Sequence, residues 1–186
     1  QQMDEAKIRL KKALKLDSNL PEAHYFMGNH DYFNFKTVAA LRHYSKAIKL
    51  EPEYRDALYM RAAAYAEMEE YSLALRDYEK VLELDPNLAV AKYNMAVILI
   101  TNEQYEQGMN LLSEVNPEEL PTPRDFYYYQ GEALYFSGKK EDSCELYAKA
   151  GEMGDTEAQE IYTRYCMQGQ ERDEKQPEKR IIRMAF

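Results

Sequence analysis

Residues 50–86 read LEPEYRDALYMRAAAYAEMEEYSLALRDYEKVLELDP, and one short motif stands at both ends of this segment. It begins with Leu50-Glu51-Pro52 and ends with the similar Leu84-Asp85-Pro86, whose prolines are 34 residues apart. Proline lacks an amide donor and disfavours helix in the residue before it, so each copy marks a helix end. The spacing therefore indicates a structural unit of 34 residues that is repeated along the chain.

Small residues follow the same period on both sides of this stretch. Where two helices approach closely only a small side chain fits, so a small residue that recurs at one fixed spacing predicts stacked helix pairs. These positions therefore have a steric role rather than a catalytic one. The two sets are Ala6, Ala40 and Ala74, and Gly28, Ala62 and Ala96, with Gly131 following Ala96 after 35 residues.

The composition favours a folded, helical protein. The chain has 186 residues, of which 45% are hydrophobic and 31% charged, with few Gly and Pro, and this mixture is typical of helix rather than sheet. The net charge of −9 disfavours binding to nucleic acid, because a surface of that sign repels phosphate. No apolar run approaches the roughly 18 residues of a membrane span. We therefore predict an all-α protein that neither binds nucleic acid nor crosses a membrane.

The recurring residues resemble the tetratricopeptide (TPR) repeat, a helix-turn-helix unit of about 34 residues. The resemblance covers roughly residues 3–151 and is weakest in the third repeat. It implies a right-handed superhelical solenoid of antiparallel helix pairs. The matching residues are Met27-Gly28, Ala40, Tyr44, Ala47 and Pro52; Ala62, Tyr65, Tyr71, Ala74, Tyr78 and Pro86; Met95-Ala96, Tyr105 and Gly108; and Gly131-Glu132-Ala133-Leu134, Gly138, Tyr147 and Ala150.

The repeat pattern also predicts how the chain is organised. The solenoid is expected over residues 1–167, and the remainder, 168–186, is a charged tail with an apolar end. The last helix begins in a segment, Gly151 to Cys166, that resembles the Sel1-like repeat and is suited to cap the array. Because the first repeat lacks its first helix, we expect further residues upstream of Gln1. The predicted parts are a half repeat at 3–16, repeats at about 21–54, 55–88, 89–120 and 123–151, and a capping helix at 155–167.

One tyrosine per repeat occupies the same position on the first helix of each pair. In TPR proteins these helices line a concave groove where partners bind, so the resemblance implies a non-enzymatic interaction scaffold that holds an extended peptide. A ladder of tyrosines that only pack against one another remains the alternative. The tyrosines of this series are Tyr25, Tyr59, Tyr93 and Tyr128, and with Asn29 and Asn94 they form the predicted peptide-binding groove.

Two other interpretations of the repeats are weaker or unresolved. One TPR subgroup grips the C-terminal carboxylate of heat-shock chaperones with Lys and Asn side chains, but only Asn29 of the five corresponding positions matches here. A structural or self-assembling solenoid is the second functional candidate, because the N-terminal half repeat and the apolar tail could bury against another copy. The partner is therefore a protein or peptide of unknown identity, or a second copy of the chain.

The sequence lacks the signatures of an enzyme, a cofactor site or a metal site. It contains no phosphate-binding glycine loop, no dinucleotide fingerprint and no H-E-x-x-H, and His24, His30 and His43 lack the i, i+4 spacing of a paired metal site. Two cysteines cannot build a disulfide framework; whether Cys144 and Cys166 pair is left open, with reduced thiols as the default. We predict no catalytic residues. The chain is expected to be soluble, and either cytoplasmic or exported after loss of a leader.

Overall fold

A computed structural model describes residues 2–167, 180 and 184–186 of the chain. Every regular element within these residues is helical, as the composition and the repeat pattern predict. The helices are α1 (Gln2–Leu16), α2 (Pro21–Tyr32), α3 (Thr37–Leu50), α4 (Arg55–Glu67), α5 (Tyr71–Leu84), α6 (Ala89–Thr101), α7 (Tyr105–Ser113), α8 (Pro123–Phe136), α9 (Lys140–Glu152) and α10 (Thr156–Tyr162), with a 3-10 turn at Pro117–Glu119 and a π-helical segment at Thr163–Met167.

The chain forms two compact units, Gln1–Asn87 and Leu88–Phe186. In the first unit each helix packs against the next one along the chain, from α1 to α5. In the second, α6 packs on α7 and α8, and α8 on α9, which in turn contacts α10. This is the sequential packing of helix pairs that the repeat predicts. The finer division into repeats and a tail stays a prediction, and residues 168–179 and 181–183 of the tail lie outside the described residues.

The small residues of the repeat lie where helices approach closely, as predicted. A Cβ atom added at Gly28 on α2 would lie 2.5 Å from the ring of Tyr44 on α3. At the equivalent Gly131 on α8, an added Cβ would lie 3.2 Å from the ring of Tyr147 on α9. Both tyrosines are buried, so the tyrosine of the second helix fills the space that the missing side chain leaves.

A left-handed residue ends the first helix of each complete pair, and of the four such residues the sequence pattern included only Gly138. The residue that follows it donates its amide to a carbonyl five positions back, for example Lys36 to Asp31 at 2.9 Å and Lys139 to Leu134 at 2.9 Å. This is the Schellman arrangement, which satisfies the last carbonyls of a helix. The left-handed residues are Phe35 (φ 58°), Glu69 (φ 60°), Glu103 (φ 64°) and Gly138 (φ 85°).

Substitutions at these turns are expected to change stability in opposite directions. Replacing Gly138, whose added Cβ would meet no atom within 4 Å, by alanine introduces left-handed strain and is expected to lower the free energy of unfolding by about 1 kcal/mol. Phe35→Gly, at a ring that is 96% exposed, is the matched control and is expected to raise it. Urea midpoints measured by circular dichroism show whether each variant is more or less stable than the unaltered chain. A shift of both variants in the same direction would contradict this account.

Cys144 on α9 and Cys166 in the π-helical segment form a disulfide, with Cα atoms 5.8 Å apart. The default expectation of two reduced thiols is therefore wrong. The sequence leaves the pairing open because 22 residues separate the two cysteines, and the packing of the π-helical segment against α9 brings them together. The bond encloses α10, which begins with the side chain of Asp155 accepting the amide of Ala158 at 3.0 Å.

Candidate functional site

The six predicted groove residues are divided equally between the two units. In each unit they lie on the first helices of repeats, as the TPR resemblance implies. A row of four tyrosines along the whole chain stays a prediction. Tyr25 and Asn29 on α2 and Tyr59 on α4 belong to the first unit, and Tyr93 and Asn94 on α6 and Tyr128 on α8 to the second.

The two tyrosines of the first unit are partly exposed and also pack against neighbouring rings. The ring of Tyr25 lies 5.2 Å from that of Tyr54 and 6.3 Å from that of Tyr44. Tyr59 meets Tyr78 edge to face at 5.5 Å. Asn29 accepts a hydrogen bond of 2.9 Å from the hydroxyl of Tyr44. These side chains therefore have a packing role, and part of each tyrosine remains accessible to a ligand.

An apolar cleft of about 390 Å³ lies beside Asn29, between α1 and α2. Its apolar lining includes Leu10, Phe26 and Phe33, and the two phenylalanine rings are about half exposed. Exposed aromatic rings around a concave surface are typical of protein contact sites.

Two histidines that the sequence separates come together in the first unit. The Nδ1 atoms of His24 on α2 and His43 on α3 are 3.2 Å apart, and burial is the main reason that the pKa of His43 is lowered. His43 also faces Asp31, at 3.9 Å. Among the described residues no group of three or more potential ligands could hold a metal ion.

The tyrosines of the second unit are buried and not open to solvent. Tyr93 and Tyr128 are each 1% exposed. Tyr128 packs edge to face on Tyr129 at 5.4 Å and on Tyr147 at 5.6 Å. The side chain of Arg180 covers the Tyr128 ring: its guanidinium carbon lies 3.5 Å above the centre of that ring. Such a stacked position is favourable for a cation on an aromatic face.

Arg180 is buried among three carboxylates, which we call the acidic pocket: Asp125, Asp155 and Glu157. Its Nε donates to Glu157 at 2.6 Å, Nη1 to Asp125 at 3.2 Å, and Nη2 to Asp155 at 2.5 Å. Asp125 lies in the first turn of α8, Asp155 caps α10, and Glu157 lies in its first turn. The three nitrogens of one guanidinium thus each bond a different carboxylate.

The electrostatics of the acidic pocket favour full ionisation of the buried pair. Burial opposes the charged form of Arg180, but the hydrogen bond and the charge of Asp155 hold the pKa of the guanidinium above its ordinary value. Burial likewise opposes the charged form of Asp155, but bonds from Arg180 and from the amide of Ala158 lower the pKa of this carboxyl. A buried ion pair of this kind becomes costly when one partner is removed.

A second contact holds the chain near its end. The side chain of Asn94, fully buried on α6, donates from Nδ2 to the carbonyl of Ala185 at 3.0 Å, and its Oδ1 accepts the amide of Ala185 at 2.9 Å. Both bonds go to backbone groups, so Asn94 recognises the main chain of this residue rather than its side chain. Ala185 itself is buried in the core of the second unit.

Two of the predicted groove residues, Asn94 and Tyr128, contact the end of the chain, but the sequence did not indicate the acidic pocket or Arg180. The carboxylates are spread over two helices, and charges at helix starts are expected for reasons of stability alone. The apolar end of the chain, after a long charged stretch, was the one available signal that the terminus docks on the protein. It did not indicate the surface on which the terminus docks.

Comparison with known proteins supports the repeat assignment. The tetratricopeptide repeat model matches residues 56–88, so the chain contains at least one such repeat. No curated protein sequence matches the chain. The Sel1-like character of residues 151–166 stays a prediction. No enzyme family is matched, and no described helix is long and apolar enough to cross a membrane.

Solved structures of TPR type are similar over most of the chain. YrrB, described as a TPR protein with an unusual peptide-binding site, superposes with a TM-score of 0.75 at 22% identity, over 87% of this chain and 84% of YrrB. MamA (residues 41 to the end) from Desulfovibrio magneticus RS-1 gives 0.73 at 25% identity, over 83% and 86%. PilF from Pseudomonas aeruginosa gives 0.70 at 17% identity, over 83% and 71%. The chain is therefore an all-α protein with the fold of TPR solenoids, which are generally interaction scaffolds.

Proposed function

We propose that the chain is a non-enzymatic scaffold that binds an extended segment of a partner protein on the inner helices of its repeats. The observation that carries this proposal is the pair of hydrogen bonds between Asn94 and the backbone of Ala185. A side chain that bonds both the amide and the carbonyl of one residue holds a peptide main chain in a defined place. The same surface could hold a segment supplied by another molecule.

Two further observations support this function. Tyr25 and Tyr59 remain partly exposed on the equivalent helices of the first unit, and tyrosine rings contribute strongly to protein contacts because they lose few rotamers on binding. The similar structure of YrrB is described as containing a peptide-binding site. Both features are what an interaction scaffold requires.

A labelled synthetic peptide with the sequence of residues 176–186 tests backbone recognition in the second unit. The protein is the full chain with Arg180→Ala, which weakens the hold on its own terminus. We expect fluorescence anisotropy to show saturable binding, and a peptide with proline in place of Ala185 to bind at least tenfold more weakly, because proline has no amide to donate to Asn94.

The matched protein variants are Asn94→Ala and Asn102→Ala, placed in the same Arg180→Ala background. Asn102 is exposed at the end of α6, so its replacement should leave binding unchanged, whereas loss of Asn94 should weaken it tenfold or more. Absence of saturable binding, or equal binding of the alanine and proline peptides, would overturn the proposed function at this surface. Light scattering of the same samples reports whether the chain self-associates instead.

A further inference from the structure

The acidic pocket has the chemistry of a selective site for arginine. Its three carboxylates each accept from a different nitrogen of one guanidinium, while the ring of Tyr128 covers the flat face of the group. A planar, forked donor can satisfy this arrangement, whereas the single ammonium of lysine cannot reach three separate acceptors and stack at once. The pocket is thus matched to the shape as well as to the charge of arginine.

The charges around the pocket also require a cation. Among the described residues, Arg124 is the other basic residue lining the small polar cavity there, and its Nη1 donates to the carbonyl of Gly154 at 3.5 Å. Without Arg180, the described part of this cavity would hold one positive charge beside the carboxylates. Asp125 and Asp155 are buried, whereas Glu157 is partly exposed. Buried carboxylates without a partner are strongly destabilising, so the pocket is expected to favour an occupant.

A buried hydroxyl beside the pocket is an independent feature of a binding site. Tyr93 is 1% exposed, and its hydroxyl has no hydrogen-bond partner within the described part of the chain. Burial raises its pKa most, followed by Tyr129 and by the carboxylates of Asp125 and Asp155, whereas the charge of Arg180 lowers it. The Tyr93 ring packs on that of Tyr129 at 6.3 Å, and Tyr129 packs on Tyr128, the ring on which Arg180 stacks. Buried hydroxyl groups are normally paired, so one without a partner points to a surface adapted to a ligand.

The arginine site and Asn94 together define a recognition pattern. Arg180 and Ala185 are five positions apart in the sequence, and both are buried within the second unit. Ala185 occupies a space lined by core residues, which favours a small side chain at that point. A matching ligand therefore carries an arginine and, five residues later, a small residue whose amide is free to donate.

We propose that the second unit is a receptor for extended protein segments of this pattern, and that the chain's own terminus, through Arg180 and Ala185, is the ligand that competes with them in cis. This inference rests on the proposed function and names the partner chemistry for its site. A tethered ligand acts at an effective concentration of about millimolar. A partner segment therefore has to displace the chain's own terminus in order to bind.

The test compares four peptides with the sequence of residues 176–186, carrying arginine, citrulline, lysine or alanine at position 180, on the full chain with Arg180→Ala. Citrulline keeps the shape of arginine without its charge. We expect the arginine peptide to bind at least thirtyfold more tightly than the citrulline peptide, with lysine between them. We also expect it to bind the variant chain at least tenfold more tightly than the unaltered chain, whose own Arg180 competes.

A second measurement uses the unaltered chain, so the inference does not depend on the folding of a variant. Excess arginine peptide should displace the terminus and so accelerate hydrogen exchange at the amide of Ala185, which otherwise donates its hydrogen bond to Asn94. Citrulline peptide should not have this effect. Equal binding of arginine and citrulline peptides would overturn the arginine site. It would leave the proposed function intact, provided that the peptide with proline in place of Ala185 still binds more weakly. If no peptide binds, both proposals fail. A dimer that Arg180→Ala converts to monomer would show that the terminus docks on a second copy, and would overturn competition in cis.

Discussion

Above pH 10 the protein is expected to lose stability steeply and to unfold by about pH 12. Burial is the largest reason that the pKa values of five tyrosines lie above the ordinary value of 10: Tyr32, Tyr44, Tyr93, Tyr128 and Tyr147. In the unfolded chain these side chains release their protons near pH 10, whereas in the folded chain they retain them. The unfolded state then binds fewer protons, so the free energy of unfolding falls as the pH rises.

The expected size of this effect is large compared with ordinary protein stability. Each such tyrosine contributes about 1.4 kcal/mol per pH unit above its unfolded pKa, and five together contribute roughly 7 kcal/mol per unit. A domain of typical stability, about 5–15 kcal/mol, would therefore unfold within one to two units. Below pH 10 these tyrosines are protonated in both the folded and the unfolded chain. They therefore cause no change in the free energy of unfolding in that range.

Circular dichroism at 222 nm and tyrosinate absorbance at 295 nm, followed together from pH 8 to 12.5, measure this transition. We expect loss of helix and the main rise in absorbance to coincide. Tyr93→Phe removes one of the five groups, and because its hydroxyl has no described hydrogen-bond partner, the variant should be as stable or more stable at pH 8 and unfold at higher pH. Full helicity at pH 12 would contradict the expectation.

The helices were predictable from the sequence because their signals are local. Pro52 and Pro86 mark helix ends at one spacing, and the predicted helix over 37–50 coincides with α3 (Thr37–Leu50). The close approach at Gly28 was predictable for the same reason, since a repeated small residue implies a repeated contact. The left-handed residue that ends each first helix is equally periodic, but it was missed because three of the four positions hold Phe or Glu rather than glycine.

The candidate site was only partly predictable because its contacts join distant parts of the chain. Asn94 bonds a residue 91 positions away, and Arg180 bonds Asp125 across 55 positions. A periodic pattern can place Tyr128 on the inner face of a repeat, but it cannot show that the ring lies beneath a guanidinium. The same applies to His24 and His43, which only the packing of α2 on α3 brings within 3.2 Å.

The disulfide links this site to the stability of the second unit. Cys144 and Cys166 enclose the residues that carry Asp155 and Glu157, two of the three carboxylates of the acidic pocket. A bond across 22 residues restricts the unfolded chain, and the loop-length relation gives about 3 kcal/mol for a loop of that size. Reduction is therefore expected to destabilise the second unit and to loosen the hold on Arg180.

Urea unfolding with and without dithiothreitol measures the loss of stability, expected to be about 3 kcal/mol. The double variant with Cys144→Ser and Cys166→Ser is the matched control: it should unfold at the lower midpoint in both conditions, because reductant has no bond to break. Since Asp155 and Glu157 lie inside the loop, reduction should also speed hydrogen exchange at the amide of Ala185 in the unaltered chain. An equal midpoint with and without reductant would show that packing of α9 against α10 holds this part of the unit without the bond.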